Sequence, residues 1–414
     1  MISRIVILND ASIARGGATG LALLSIRLLR QRGFDVTYIV GDKGDNEELE
    51  RLGVEVVSVG GAPLVKQNPV AAFARGAFNP AARKTVADWV RTRDTPSTVY
   101  HVHGWSKILT PSIFSALGPV AARTVIHAHD FFLACPNGAF MDYKRGEPCE
   151  RVPLSASCLS TNCDKRNYAQ KLWRSARKRV LDSTFPQSLP WAAVAMIHEK
   201  MAPYLVKGGV SSGRLVTVRN PAEPFSRSRI PSEANGTVFF VGRVEAEKGV
   251  VELLAAARSA GVPLAVIGDG PLRKELSKQY PDVRFHGWRN REEIAELLRS
   301  ARGVVMPSRY PEPYGLVAAE ASGSGLPVLV SRTAFLREEI LANGLGFSFD
   351  LNDPADIAGT LRSLVDLPAE EVRAMSERGH SGEASLSQTP DEWIDALLRL
   401  YSATLVRPPL PSAA

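Results

Sequence analysis

Short apolar runs alternate with helix-like segments in one rhythm that occurs twice along the 414-residue chain, and this repetition leaves few folds open. The first occurrence starts with Ile5-Val6-Ile7-Leu8. A loop from Asn9 to Gly17 follows, then an apolar-periodic segment from Thr19 to Arg32 that Gly33 can cap. Val36 to Val40 is the next strand. Strand, helix and strand joined by short loops make the βαβ unit of a parallel sheet. The pattern returns at Val54–Val59, Val99–Val102, Val125–His127, Ala192–Met196 and Leu215–Val218.

Residues 219–236 (RNPAEPFSRSRIPSEANG) break the rhythm with three prolines and no apolar period, a linker composition. It then restarts. Strands are expected at Val238–Val241, Leu264–Ile267, Val283–His286, Val304–Met306 and Val328–Val330, and helices at Glu252–Ser259, Glu292–Arg299 and Val317–Ser322. Asp391–Leu405 reads as an amphipathic helix with Trp393, Leu397, Leu400 and Tyr401 on its apolar stripe, before a fraying tail at 407–414. The expected fold class is therefore α/β, with two tandem Rossmann-like, doubly wound domains facing a cleft. The domains are expected at 1–220 and 221–390, with a helix at 391–406 crossing back to the first.

Hydrophobic residues at 45% and charged residues at 22% are the balance of a globular protein. Met1 to Asn9 reads as a strand rather than a leader, and no apolar stretch is long enough to span a membrane. The expected compartment is the cytoplasm, with reduced cysteines. Residues 1–220 hold 29 Lys and Arg against 17 Asp and Glu, a net of +12, while 221–414 hold 21 against 26, a net of −5. A basic half suits an anionic partner such as a membrane surface or a phosphorylated acceptor, or is simply a solvated face.

The most informative stretch is 306–331, MPSRYPEPYGLVAAEASGSGLPVLVS. Glu312 lies in a proline-rich loop, and a helix begins near Tyr314 with Glu320 in its second turn. Amides at such a helix start can receive a diphosphate. A loop carboxylate beside them can accept hydrogen bonds from sugar hydroxyls, and a second one can grip a ribose. In 241–249, VGRVEAEKG, Arg243 and Lys248 place two cations on a strand-to-helix loop. They could flank a pyrophosphate and stabilise it as it departs. The glycines of 266–271, VIGDGP, permit close backbone approach. Arg15-Gly16-Gly17-Ala18-Thr19 follows the first strand, but it is neither GxGxxG nor a Walker loop, which argues against NAD and ATP.

Taken together, these residues resemble glycosyltransferase family 4, the retaining transferases of the GT-B fold, over nearly the whole chain. The resemblance is carried by Gly16-Gly17, Ile126-His127-Ala128-His129-Asp130, Asn220-Pro221, Gly242-Arg243 with Lys248-Gly249, Gly268-Asp269-Gly270-Pro271, His286-Gly287, and Glu312-Pro313-Tyr314-Gly315 with Glu320. It implies transfer of a hexosyl-type sugar from a nucleotide-diphosphate donor to an acceptor hydroxyl, with retention. No residue is nominated as a covalent nucleophile, and same-face attack through an oxocarbenium-like state is implied. Glu312 would contact the donor sugar, Glu320 the ribose, and Arg243 and Lys248 the diphosphate. His129 would be the active-site histidine. Gly16 and Gly17 would let their loop close over donor and acceptor. The donor-contacting set thus comprises Gly16, Gly17, Gly242, Arg243, Lys248, Gly268, Glu312, Tyr314, Gly315, Leu316 and Glu320. Tyr314 stands where many members have Phe.

The resemblance implies no cofactor beyond the nucleotide sugar and no catalytic metal. His101-x-His103 and His127-x-His129 each place two imidazoles on one face of a strand, a spacing that could serve a metal. Without a carboxylate cluster beside them, His127 and His103 are read as support for His129. Cys135, Cys149, Cys158 and Cys163 all fall within 29 residues but lack paired CxxC knuckles. They leave two readings, a structural zinc or four reduced thiols in a packed loop spanning 134–164. Seven Lys and Arg between Lys165 and Arg179, with Leu172, Ala176 and Val180 at helical spacing, make 165–181 either a membrane-surface helix or a packed one with a solvated charged face. The expected partners are a nucleotide-sugar donor, a glycan or lipid-linked acceptor and an anionic membrane surface, with no nucleic acid. The rivals are a GT-B nucleotide-sugar epimerase or hydrolase and a non-catalytic polyanion-binding module.

Overall fold

The computed structural model describes residues 2–14, 16–63, 73 and 75–406. Arg15 and the tail 407–414 lie outside them. The chain forms two compact units. One comprises Met1–Phe140, Glu150–Arg219 and Pro390–Ala414, and the other Met141–Cys149 and Asn220–Thr389.

Among the described residues, nine strands come from the first half: β1 (Arg4–Asn9), β2 (Asp35–Val40), β3 (Glu55–Ser58), β4 (Thr98–Val102), β5 (Thr124–Ala128), β6 (Met141–Asp142), β7 (Glu147–Pro148), β8 (Ala193–Met196) and β9 (Leu215–Thr217). Seven of them form a parallel sheet in the order β3-β2-β1-β4-β5-β8-β9. Continuous burial on both faces explains the uninterrupted apolar runs, and Ile5 to Leu8 expose no surface. The helix Gly17–Gln31 covers one face. The helix Pro390–Val406 joins the same core, with Trp393, Ile394, Leu397 and Tyr401 fully buried beside Ile5 and Ile7.

The second unit carries β10 (Thr237–Val241), β11 (Leu264–Ile267), β12 (Arg284–Gly287), β13 (Ala301–Met306), β14 (Val328–Ser331) and β15 (Gly346–Phe349). They form a parallel sheet in the order β12-β11-β10-β13-β14-β15. Strand order reverses between β1 and β4 in one sheet and between β10 and β13 in the other. Loops leaving the carboxyl ends of the two strands at such a reversal diverge around a crevice, the usual ligand position in open α/β sheets. The α/β expectation holds for both units. No helix among the described residues is long and apolar enough to cross a membrane.

Two expectations change. The cysteine-bearing loop 134–164 does not stay together, because its hairpin β6–β7 packs with the second unit. There Arg309 donates to the carbonyl of Gly146 at 3.1 Å. The basic segment is also inverted. It forms the helix Tyr168–Thr184, capped by Asn167, yet half of its buried residues are charged. Lys171, Arg177 and Lys178 are buried, whereas Leu172 is 44% exposed and Ala176 is also exposed. Buried cations persist only when paired or hydrogen-bonded. Arg177 donates to the carbonyls of Gly76 and Ser106 at 2.7 and 2.8 Å, Lys178 donates to Asp182, and Arg174 pairs with Asp164 at 3.0 Å.

Candidate functional site

In the second unit the loop after β10 turns back at a short 3₁₀ helix, Ala246–Lys248, and Gly249 follows with φ +69°. A Cβ at Gly249 would lie 1.9 Å from the carbonyl oxygen of Pro307. Only glycine lets this loop close against the one leaving β13. Arg309 reinforces the contact by donating its backbone N–H to the carbonyl of Glu247 at 3.0 Å. Gly268, with φ +140°, makes a similar approach, where a Cβ would meet the carbonyl of Gly242 at 1.8 Å.

This closure brings Lys248 to Glu312. The ammonium lies 2.6 Å from Glu312 Oε2 and 2.5 Å from the Tyr310 hydroxyl, and Ser308 Oγ donates to the same carboxylate oxygen at 2.7 Å. The two charged side chains are only 19% and 13% exposed. Burial pushes the Glu312 carboxyl up, but Lys248, Ser308 and Tyr310 outweigh it, leaving the group below the usual carboxylate range. Burial and the neighbouring Glu312 carboxylate drive the Tyr310 phenol well above its ordinary value, so it stays protonated. The result is a charged, pre-ordered set of donors and one acceptor. Ser308 and Tyr310 were not singled out in the sequence, since polar residues in a proline-rich loop carry no period.

Glu312 is followed by Gly315, with φ +80°, which opens the helix Leu316–Gly323. Leu316 is half-buried there. Glu320 lies in that helix and meets Arg291 at 2.7 Å, a partner the sequence reading missed. Burial raises the Glu320 carboxyl despite Arg291. Arg243 is the outlying member. Its side chain is 65% exposed and pairs with Glu245 at 3.0 Å rather than with Glu312. Tyr314 departs from its expected place. It is 2% exposed, and its hydroxyl lies 2.9 Å from the Asn220 carbonyl and 2.8 Å from that of Leu386, so it anchors the loop from beneath. That hydroxyl explains why a phenol serves where a phenyl ring could.

Gly16, Gly17 and His129 belong to the first unit. Gly16 and Gly17 are exposed at the start of the helix Gly17–Gln31, and added side chains at Gly16 would meet open space. His129 Nε2 lies 3.0 Å from His103 Nδ1, and burial lowers the His129 imidazole to about 3, so it is neutral at ordinary pH. Beneath it, His101 Nε2 and His127 Nδ1 are 3.2 Å apart, and the Tyr401 hydroxyl reaches His101 Nδ1 at 2.6 Å. The four cysteines are buried. Lys171 Nζ lies 3.2 Å from Cys158 Sγ and 3.3 Å from Cys163 Sγ, so an ammonium takes the place between them that a zinc reading assigns to metal. Cys149 is carried by the segment that packs with the second unit.

Residues 223–381 match the family model described as Glycosyl transferases group 1. Glycogen synthase of Mycobacterium tuberculosis (strain ATCC 25618 / H37Rv) is 28% identical over 267 residues, 60% of this chain and 62% of that protein. D-inositol 3-phosphate glycosyltransferase of Mycolicibacterium smegmatis is 33% identical over 196 residues, 42% of this chain and 43% of the relative. The chain thus matches less than two thirds of these relatives' lengths. Among solved structures, Anabaena HepE in complex with UDP is similar with a TM-score of 0.66 at 18% identity, covering 97% of this chain and all of that one.

Proposed function

We propose, from the match of residues 223–381 to the Glycosyl transferases group 1 model in a chain of GT-B fold, that the protein moves a hexosyl group from a nucleotide-diphosphate sugar to an acceptor hydroxyl with retention. The carrying observation is the Lys248–Glu312 pair at 2.6 Å, set where strand order reverses between β10 and β13. A donor entering there meets a cation for its diphosphate and a carboxylate for its sugar hydroxyls. Lys248, already ion-paired and partly desolvated, would leave Glu312 for the phosphate and stabilise negative charge on the departing diphosphate. Arg243, exposed and able to swing, would supply the second cation. Glu320, held by Arg291, would take the ribose hydroxyls. Neutral His129 would offer a hydrogen-bonding ring nitrogen to the sugar without adding charge.

The acceptor is assigned to glycan or glycolipid synthesis at the cytoplasmic face of a membrane. Its support is the outward face of the helix Tyr168–Thr184, where exposed Tyr168 and Leu172 stand with Arg179, and Lys165 and Arg166 precede the helix. Apolar side chains ringed by cations suit an anionic lipid surface.

The test is a donor panel with acceptor extracts, including UDP-glucose, bound by HepE, and GDP-mannose, named for a mannosyltransferase relative. Lys248→Ala and Glu312→Gln are run beside the native chain. Loss of transfer and of donor hydrolysis in both supports the reading. Near-native turnover in both, or donor consumption with no acceptor product under every condition, sinks it.

A further inference from the structure

The register of the first sheet builds an unusual feature below its carboxyl edge. Tyr100, His101 and Val102 of β4 pair with Thr124, Val125 and Ile126 of β5. Continued by one residue, that register sets His103 beside His127. Alternate residues of a strand share a face, so His101, His103, His127 and His129 form a staggered ladder of four imidazoles. Ring centroids are 4.0 Å apart for His101 and His103, 4.2 Å for His127 and His129, and 5.1 Å for His103 and His127.

Hydrogen bonding does not satisfy this ladder. His103 Nε2, His127 Nε2 and His129 Nδ1 are buried with no partner. A neutral imidazole offers one N–H and one lone pair. Whichever of His103 and His129 donates across their 3.0 Å contact, the pair still leaves one N–H and one lone pair unmet. Native interiors rarely tolerate such orphans without a water, an ion or a functional role.

We propose that the ladder binds a divalent ion of the zinc class, ligated by one ring nitrogen each from His101, His103 and His127. Those three nitrogens lie within 4.8 Å of one another. An ion with bonds of about 2.0–2.1 Å to each needs nitrogens roughly 3.3 Å apart, so modest ring rotations suffice. Imidazole without carboxylates favours zinc, copper or nickel over magnesium or calcium. The outer partner is present as well. The Tyr401 hydroxyl holds His101 Nδ1 at 2.6 Å, so Nε2, which faces His127 Nδ1 at 3.2 Å, is the nitrogen that would turn to the ion, as second-shell groups orient metal-bound histidines. His129, half-buried at the strand end, is the least covered of the four. The ion ties β4 and β5 to the helix Pro390–Val406 through Tyr401, and its role is structural. The inference stands apart from the transferase reading.

The full chain is stripped with chelator and titrated with Zn²⁺ and Co²⁺, with Mg²⁺ as control. Expected are about one ion per chain, a rise in melting temperature with Zn²⁺ but not Mg²⁺, and Co²⁺ bands in the visible without thiolate charge transfer. The double variant His103→Asn, His127→Asn should lose the Zn²⁺-dependent rise, while Cys158→Ser with Cys163→Ser keeps it. If the histidine variant does not fold, the Co²⁺ spectrum of the native chain decides. Visible bands free of charge transfer support the site, and thiolate charge transfer assigns the ion to cysteine and overturns it. No Zn²⁺ binding by the native chain, or undiminished binding by the folded histidine variant, also overturns it.

Discussion

The Lys248 ammonium and the Glu312 carboxylate stand 2.6 Å apart although 64 residues separate them. Both side chains are mostly but not wholly shielded, so the pair is neither a solvated ornament nor a fully dry ion pair. Removing one partner leaves the other partly desolvated and unmatched. Lys248→Ala should therefore cost stability between the about 1 kcal/mol of an exposed pair and the about 3–5 kcal/mol of a buried one. Chemical denaturation measures this. Transfer should fall by roughly 10²-fold or more, as when one preorganised electrostatic contact is removed.

Acid should expose the same pair. Glu312 has a folded pKa below its ordinary value near 4.5, despite burial, because Lys248, Ser308 and Tyr310 favour the charged form. Near and below 4.5 the unfolded chain takes up a proton here that the folded chain refuses. This contribution to stability is full above that value and lost as the pH falls through the folded one. A Lys248→Met variant should show a weaker acid dependence in the same window. Parallel melting curves of the two proteins across it would contradict the assignment.

Gly249→Ala tests the closure that makes the site. The residue is left-handed, and the new methyl would fall 1.9 Å from the Pro307 carbonyl oxygen. The loops after β10 and β13 must then part. Destabilisation beyond the about 1 kcal/mol of a simple left-handed penalty is expected, with a fall in donor affinity. Calorimetric titration with a nucleoside diphosphate reads the second effect.

Arg291→Ala should act on binding more than on turnover. Arg291 holds Glu320 at 2.7 Å, and burial already favours the protonated form of that carboxyl. Without the guanidinium Glu320 loses its orienting partner and its carboxylate form is less favoured, so KM for the donor should rise while kcat changes less. A kcat loss with unchanged KM would place Glu320 away from the nucleoside.

Tyr401→Phe removes the 2.6 Å hydrogen bond to His101 and leaves another buried ring nitrogen unmet. A loss of about 1–3 kcal/mol is expected, read as a lower denaturation midpoint at unchanged slope.

Much of this architecture is legible in the chain because buried parallel strands write themselves as short apolar runs. Lys248, Glu312 and Glu320 could be picked out from their loop and helix positions. That Lys248 touches Glu312 could not, because strand order has no periodicity and β13 follows β10 in space but not in sequence. Arg291 was invisible for the same reason. The helix Tyr168–Thr184 misled in a different way. A period identifies two faces but not which is inside, and carbonyls of Gly76 and Ser106 hold Arg177 on the buried one. The hairpin β6–β7, with two residues in each strand, is too short to show any pattern. Tyr314 was matched by motif, and its side chain proved to be an anchor.

The division of the backbone has a consequence for protein engineering. The polypeptide passes from one unit to the other after Phe140, Cys149, Arg219 and Thr389. A chimera that trades the C-terminal half for a relative's by a single joint near residue 220 would leave the β6–β7 hairpin facing foreign residues at Arg309. It would also give β1 a stranger's Trp393 and Tyr401. Swaps that respect the packing must exchange Met141–Cys149 together with Asn220–Thr389 and retain the native final helix.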